Sequence, residues 1–289
     1  MRFVRERSFS PRKADSLRPA FTLWVVAIPI FVFLLLPSLI VVPMSLTPSN
    51  FLEFPPSGIS LHTFGDFFGD ESWRRSVYSS FVVASIASAV ALPVATLAAL
   101  ALWDNRLPGR GIITGVILMP IVIPLVVLAL ADFAFLAKYQ LVGTRLGIAL
   151  AHSVVVMPYV FVVVAASLAG LNPELIRAAR SLGSNHVSVF WHVLLPVLRS
   201  GLVAGGVFAF AISFDETVIA YFLQGPDATT LPVKMFTEIQ FDLTPTIAAA
   251  STIMLLVTTL LLILQIVLMA RRSRVALVIQ GSHGPKELE

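Results

Sequence analysis

The chain has 289 residues, 57% of them hydrophobic and 12% charged, with a formal net charge of +4. Soluble domains carry about 25% charged residues, so this balance excludes an ordinary soluble protein and indicates a membrane protein. With no cysteine, disulfides and thiol chemistry are excluded, and no basic patch interleaved with aromatics points to a nucleic-acid partner.

The first twenty residues are basic and polar, with Arg2, Arg5, Arg7, Arg12, Lys13 and Arg18. Phe21 to Val42 is then an apolar run long enough, at about 1.5 Å per helical residue, to cross a hydrocarbon core about 30 Å thick. It exceeds the apolar core of a signal peptide and lacks a small-residue cleavage site, so it reads as a retained first span. Pro29 and Pro37 are compatible with a membrane helix whose neighbours satisfy the backbone. Residues 43–76 form a loop rich in Pro, Gly, Ser and acids. Five further spans follow at about Val77–Leu102, Ile112–Phe135, Leu146–Ala169, Gly201–Phe222 and Pro245–Met269. The expected fold is all-α and polytopic, with six transmembrane helices in one unit, 21–269, between an N-terminal segment 1–20 and a tail 270–289.

Six spans place both termini on one side. An inside N-terminus gathers fifteen Lys/Arg there, namely the six at the start, Arg106, Arg110, Arg177, Arg180, Arg199, Arg271, Arg272, Arg274 and Lys286. Only Arg74, Arg75, Lys138, Arg145 and Lys234 remain for the other face. Positive residues concentrate inside, so both termini are expected in the cytoplasm, together with the polar stretch Leu171–Pro196 between spans 4 and 5. The loops 43–76 and 223–244 are then external.

That stretch reads LNPELIRAARSLGSNHVSVFWHVLLP. Asn172-Pro173 has the form of an N-cap followed by proline at the first helical position. Glu174 suits the positive end of the helix dipole. Gly183 is a C-cap candidate after Leu182, and 185–195 reads as a second short helix ended by Pro196. Its Val187, Phe190, Trp191 and Leu194 form one apolar stripe. Two short helices about a glycine make a knob suited to a partner's groove, or a loop packed on its own spans and the lipid interface.

The spacing Ala178-Ala179, three residues, Gly183, nine residues, Val193-Leu194-Leu195-Pro196 resembles the EAA loop of permease subunits of bacterial ABC importers that work with a soluble binding protein. That resemblance implies a loop seated in a cytoplasmic ATPase, with Glu174, Arg177, Ala178, Ala179, Gly183, Leu195 and Pro196 as the coupling residues. Arg177 stands where the family has Glu, and Glu174 one turn earlier is a candidate to compensate. The stretches 54–84 and 212–236 look like the second permease of spermidine/putrescine-type importers. The resemblance implies a heterodimer with a second permease, two ATPase subunits, a periplasmic or lipid-anchored binding protein, and residence in a bacterial inner membrane. The chain has no G-x4-G-K-[ST] loop, so it is expected to be a transport subunit with no catalytic, metal or cofactor site of its own, ATP and Mg lying on the partner ATPase.

Asp215 and Glu216 stand in the apolar stretch Val207–Phe222. Ionised acids near a bilayer centre are expensive and turn to the bundle interior or water, so the pair is a candidate for the path of a cationic solute. The same residues could instead pair with basic groups of a second subunit or meet the outer water boundary. Tyr221 could add cation–π contact or serve as an interface anchor. Asp132, near the outer end of span 3, reads more as a boundary residue than as one lining the external mouth, and His152 more as a hydrogen-bonding residue of the bundle than as a ligand. A polyamine is the first expectation for the solute, with an opine, another amino compound or an aminophosphonate as alternatives. An ion-coupled secondary transporter would show inverted repeats and paired intramembrane ionisable groups, which the sequence does not display, and would leave the 171–196 spacing unexplained.

Overall fold

A computed structural model describes residues 18–103, 107–241 and 243–281, with side-chain surroundings for 24–103, 107–241 and 243–267. The basic start (1–17), Arg106 and the end of the tail (282–289) lie outside the described residues. What is described is helical throughout: α1 (Arg18–Met44), α2 (His62–Gly69), α3 (Glu71–Trp103), α4 (Arg110–Val122), α5 (Leu125–Ala137), α6 (Arg145–Ala169), α7 (Pro173–Ser181), α8 (His186–Val189), a π turn (Phe190–Leu194), α9 (Leu195–Asp215), α10 (Val218–Leu223), α11 (Leu231–Phe241) and α12 (Thr246–Gly281).

The centre of the bundle is α6, packed between α3 and α9. On α3 the buried residues Ala84, Ala87, Ala91, Ala95 and Ala99 recur every three or four positions, which lines small side chains along one face. Hydrocarbon solvates Leu as well as another helix does, so close backbone approach rather than apolarity drives membrane helices together. The same device recurs on α9. A Cβ at Gly201 would collide with the Ser167 hydroxyl of α6, and one at Gly205 would meet Val160 at 3.4 Å. Tryptophan closes one end of the bundle, where Trp103 Nε1 donates to the Leu168 carbonyl at 3.0 Å.

Five helices are long and apolar enough to cross a membrane, and a sixth crossing is supplied by α4 and α5 together. The third span is therefore not the continuous helix that Ile112–Phe135 suggested. It breaks at Ile123-Pro124 with a bend of 106°. Ile123 is extended (φ −72°, ψ 131°), the conformation that a following proline imposes on its neighbour.

The fifth span differs more. Its helix starts at His186, not Gly201, and runs to Asp215. It stops at Glu216, which is extended (ψ 122°), and α10 resumes after Thr217. Two stretches expected as loops contain helices. α2 lies within 43–76, and α3 starts at Glu71, where Asp70 Oδ1 accepts from the amides of Ser72 (2.6 Å) and Trp73 (3.1 Å). Those bonds, with the Ser72 side chain foremost, hold the Asp70 carboxyl below the usual carboxylate range. α11 lies within 223–244, anchored by buried Leu231, Pro232 and Val233 and by the Leu231 amide donating to Ser80 Oγ at 2.8 Å.

Candidate functional site

Two places carry the candidate residues, and one helical rod joins them. At the first, the Asn172 side chain accepts from the Glu174 amide at 2.9 Å, with Pro173 at the first helical position of α7. At the other end Gly183 has φ +87°. The Gly183 amide donates to the Arg180 carbonyl (2.9 Å) and the Ser184 amide to the Ala179 carbonyl (3.1 Å), the paired bonds of a Schellman motif. α7 is thus satisfied at both ends by its own neighbours, a rigid helix on two turns.

The second helix of the loop is not a separate short one, because it is the first part of the fifth-span rod. Asn185 caps it by accepting from the Ser188 amide at 2.8 Å. The Leu195 amide then bonds to the Phe190 carbonyl, five residues back, and this widened π turn precedes Pro196. Proline lacks an amide and its ring crowds the carbonyl four residues earlier, so a locally looser turn lets the rod continue through it. The added residue also splits the expected stripe: Val187 and Trp191 are exposed, whereas Phe190 and Leu194 are half-buried. Between α7, the π turn and the ends of α3 and α6 lies a groove of about 780 Å³, its floor formed by Leu100, Trp103 and Leu194 and its rim by Arg177, Arg180 and His186. Arg177 Nη2 is 3.8 Å from Glu174 Oε1 with both side chains exposed, a solvent-screened pair that contributes little to stability. Ala178 and Pro196 are exposed, and Ala179 and Leu195 half-buried.

At the far end of the rod the two acids part. Asp215 is exposed on a groove of about 600 Å³ lined by both halves of the broken third span, α6, α9 and α12. Tyr159 and Phe208 stand in its wall, ring centroids 5.8 Å apart and nearly perpendicular. Glu216 reaches the same wall, but its side chain is only 6% exposed and is turned into the bundle. Both carboxylate oxygens accept from the Ile219 amide at 3.0 Å, and Oε2 also accepts from the Ala220 amide at 3.1 Å. His152 of α6, fully buried, places Nε2 3.0 Å from Glu216 Oε2, an ion-pair distance without hydrogen-bond alignment. Its Nδ1 is 2.8 Å from Ser213 Oγ. Asp132 of α5 lies within electrostatic reach of both His152 and Glu216, and its Oδ2 is buried without a partner.

The sequence reading found no paired intramembrane ionisable groups; the fold corrects this, because His152 and Glu216 are brought together only when α6 packs on α9. Tyr221 lies on α10, 40% exposed, edge-on to Phe222 and Phe236 at centroid distances of 6.2 and 5.4 Å; it does not line the Asp215 groove. Tyr159 and Phe208 were not singled out from sequence. An aromatic in an apolar span carries no signal until its neighbours are known.

Residues 91–275 match the family described as binding-protein-dependent transport system inner membrane component. The putrescine transport system permease protein PotI of Escherichia coli (strain K12) is 30% identical over 251 residues, covering 84% of this chain and 89% of that protein. The spermidine/putrescine transport system permease protein PotC of Haemophilus influenzae is 27% identical over 226 residues, covering 77% of this chain and 86% of that one. Among solved structures, a bacterial alginate ABC transporter in complex with an alginate pentasaccharide-bound periplasmic protein superposes with a TM-score of 0.66 at 15% identity, covering 86% of this chain and 94% of that one; at this identity the likeness concerns the fold.

Proposed function

The chain belongs to the family of binding-protein-dependent transport system inner membrane components and is a permease subunit of an ABC importer; from that premise we propose that its solute is a polyamine, drawn across the membrane past Asp215. The observation that carries this is the exposed carboxylate of Asp215 in a mostly apolar groove lined by both halves of the broken third span and by the break in the fifth. An acid so placed is stable only where water or a cation meets it. The rings of Tyr159 and Phe208 in the same groove suit an alkylammonium, which is attracted both by the charge and by aromatic faces. The relatives PotI and PotC, named for putrescine and for spermidine/putrescine, support the same solute class.

The mechanism follows from the rod His186–Asp215. In this proposal α7 sits in a cleft of a cytoplasmic ATPase through Glu174, Arg177, Ala178, Ala179 and Gly183, with Leu195 and Pro196 just past the π turn of the rod. ATP and Mg are bound by two such ATPase subunits, and a second, different permease completes the pathway. A periplasmic or lipid-anchored binding protein delivers the solute, and both termini of this chain lie in the cytoplasm of an inner-membrane complex. A helix of 30 residues spans about 45 Å. Closure of the ATPase on α7 is therefore felt at the Glu216 break, where the helix ends and α10 begins.

Reconstitution with the second permease, the ATPase and the binding protein tests this. Putrescine uptake should require the binding protein and ATP, and Asp215→Asn should lower it several-fold while the complex still assembles. Undiminished putrescine uptake by Asp215→Asn removes the solute-path role. A cognate binding protein that takes an opine or aminophosphonate and ignores polyamines overturns the solute class.

A further inference from the structure

We propose that His152 is a positioning residue of the transport cycle: it holds Glu216 on the first amides of α10, so that of the two neighbouring acids only Asp215 is presented to the solute groove. This rests on the reading of Asp215 as the solute-facing acid, but it concerns different atoms.

Three elements converge on this clasp: Ser213 and Glu216 come from the end of the rod, His152 from α6, and the amides of Ile219 and Ala220 from α10. The first amides of a helix have no partner inside it, and within a membrane an unmet donor is expensive. The Glu216 carboxylate meets two of them, Ile219 at 3.0 Å and Ala220 at 3.1 Å. Its charge then faces His152 at 3.0 Å, and the imidazole is in turn oriented by Ser213 Oγ at 2.8 Å. The titratable groups facing this cluster are Asp132, His152 and Glu216, with Asp215 next along the chain.

Such a clasp does two things. It fastens both the end of the rod and the start of α10 to α6 at the point where the rod stops, so a push along the rod is delivered at this joint. It also turns one carboxylate away from the groove. Two free acids on one groove would bind a dication more tightly and release it more slowly; one acid and two aromatic rings bind it weakly enough to pass.

What Glu216 supplies on this account is an acceptor in the right place, whereas a direct solute ligand must supply charge. The two roles separate in a pair of variants assayed in the complete reconstituted importer, with putrescine as the probe and rates expressed per assembled complex. Glu216→Gln keeps an acceptor for the α10 amides and offers a donor to His152, and uptake should stay within about twofold of the parent. Glu216→Ala strands both amides, and uptake should fall about tenfold. His152→Gln, with a donor near the Nε2 position, should behave like Glu216→Gln, and His152→Leu like Glu216→Ala.

Because the chain has no cysteine, a single thiol at the buried position Ala220 (Ala220→Cys) reports directly on α10. A small water-soluble maleimide should leave it unlabelled in the parent and in both Gln variants, and label it in Glu216→Ala and His152→Leu. Should Glu216→Ala fail to insert, His152→Leu carries the same test. Uptake lost as deeply in Glu216→Gln as in Glu216→Ala would show that the charge itself is needed, and would overturn the proposal. So would a thiol that stays protected in His152→Leu. An Asp215→Asn permease with undiminished uptake would remove the solute-path reading while leaving the Gln/Ala split and the labelling result intact.

Discussion

Asp215 and Glu216 are adjacent and both reach one groove, yet Asp215 is exposed there while the Glu216 side chain, 6% exposed, is turned into the bundle. The helix ends at Asp215 and the chain is extended at Glu216 (ψ 122°), so the two side chains leave the backbone in different directions. The sequence shows the pair but not the choice, which depends on His152 of α6 being present on one side only. Gly183 is the opposite case. Its φ of +87° follows from signals within a few residues: an N-cap Asn172, Pro173, a helix of nine residues and then glycine. In that left-handed region Asn is tolerated best after glycine. Gly183→Asn should therefore retain most binding-protein-stimulated ATP hydrolysis. Gly183→Asp should abolish it while the protein still inserts, because a carboxylate there faces the negative end of α7. Equal loss in the two variants would show that strain rather than charge decides. Glu174 is the candidate to stand in for the carboxylate that Arg177 replaces, and the two side chains lie 3.8 Å apart, both exposed.

At the scale of elements, the small-residue faces explain which helices touch. The alanines of α3 at spacings of three and four are legible in the sequence once a helix is assumed. The collision that a side chain at Gly201 would have with Ser167 is not legible, because it depends on where α6 lies. Gly201→Leu should force α9 away from α6 and cost about 1–3 kcal/mol, read as a lower unfolding temperature of the purified complex. An unchanged temperature would place the contact elsewhere. The helices α2 and α11 were missed for a related reason. Short helices among Gly, Pro and acids have little periodicity of their own, and α11 is held by burial of Leu231 and Val233 more than by local propensity. The break at Ile123-Pro124 had a visible cause, the proline, but membrane helices also run straight through proline: α3 passes Pro93 and α6 passes Pro158 without stopping. What distinguishes Pro124 is the groove that the bent halves line.

For the whole molecule, the loop 171–196, proposed to dock on an ATPase, and the break beside Asp215 lie at the two ends of one rod. The cytoplasmic side proposed for 171–196 is testable with the cysteine-free chain. A membrane-impermeant maleimide should label Ile59→Cys, 86% exposed, in intact cells or right-side-out vesicles, and label Leu182→Cys, 87% exposed, only after permeabilisation. The reverse pattern would invert the topology and with it the coupling assignment.

The chain by itself determined that this is a six-crossing all-helical membrane protein, where its basic residues concentrate, and that 171–196 is a capped, glycine-ended insert between spans. These follow from composition, from apolar run length and from signals confined to a few consecutive residues. Only the tertiary structure decided that the insert continues into the fifth span as one rod, that the third and fifth spans are broken, and that Glu216 belongs to His152 while Asp215 belongs to the groove. Those features are set by contacts between distant parts of the chain, where a single packing neighbour determines whether a buried acid is satisfied or exposed, and such pairings leave no period in the sequence.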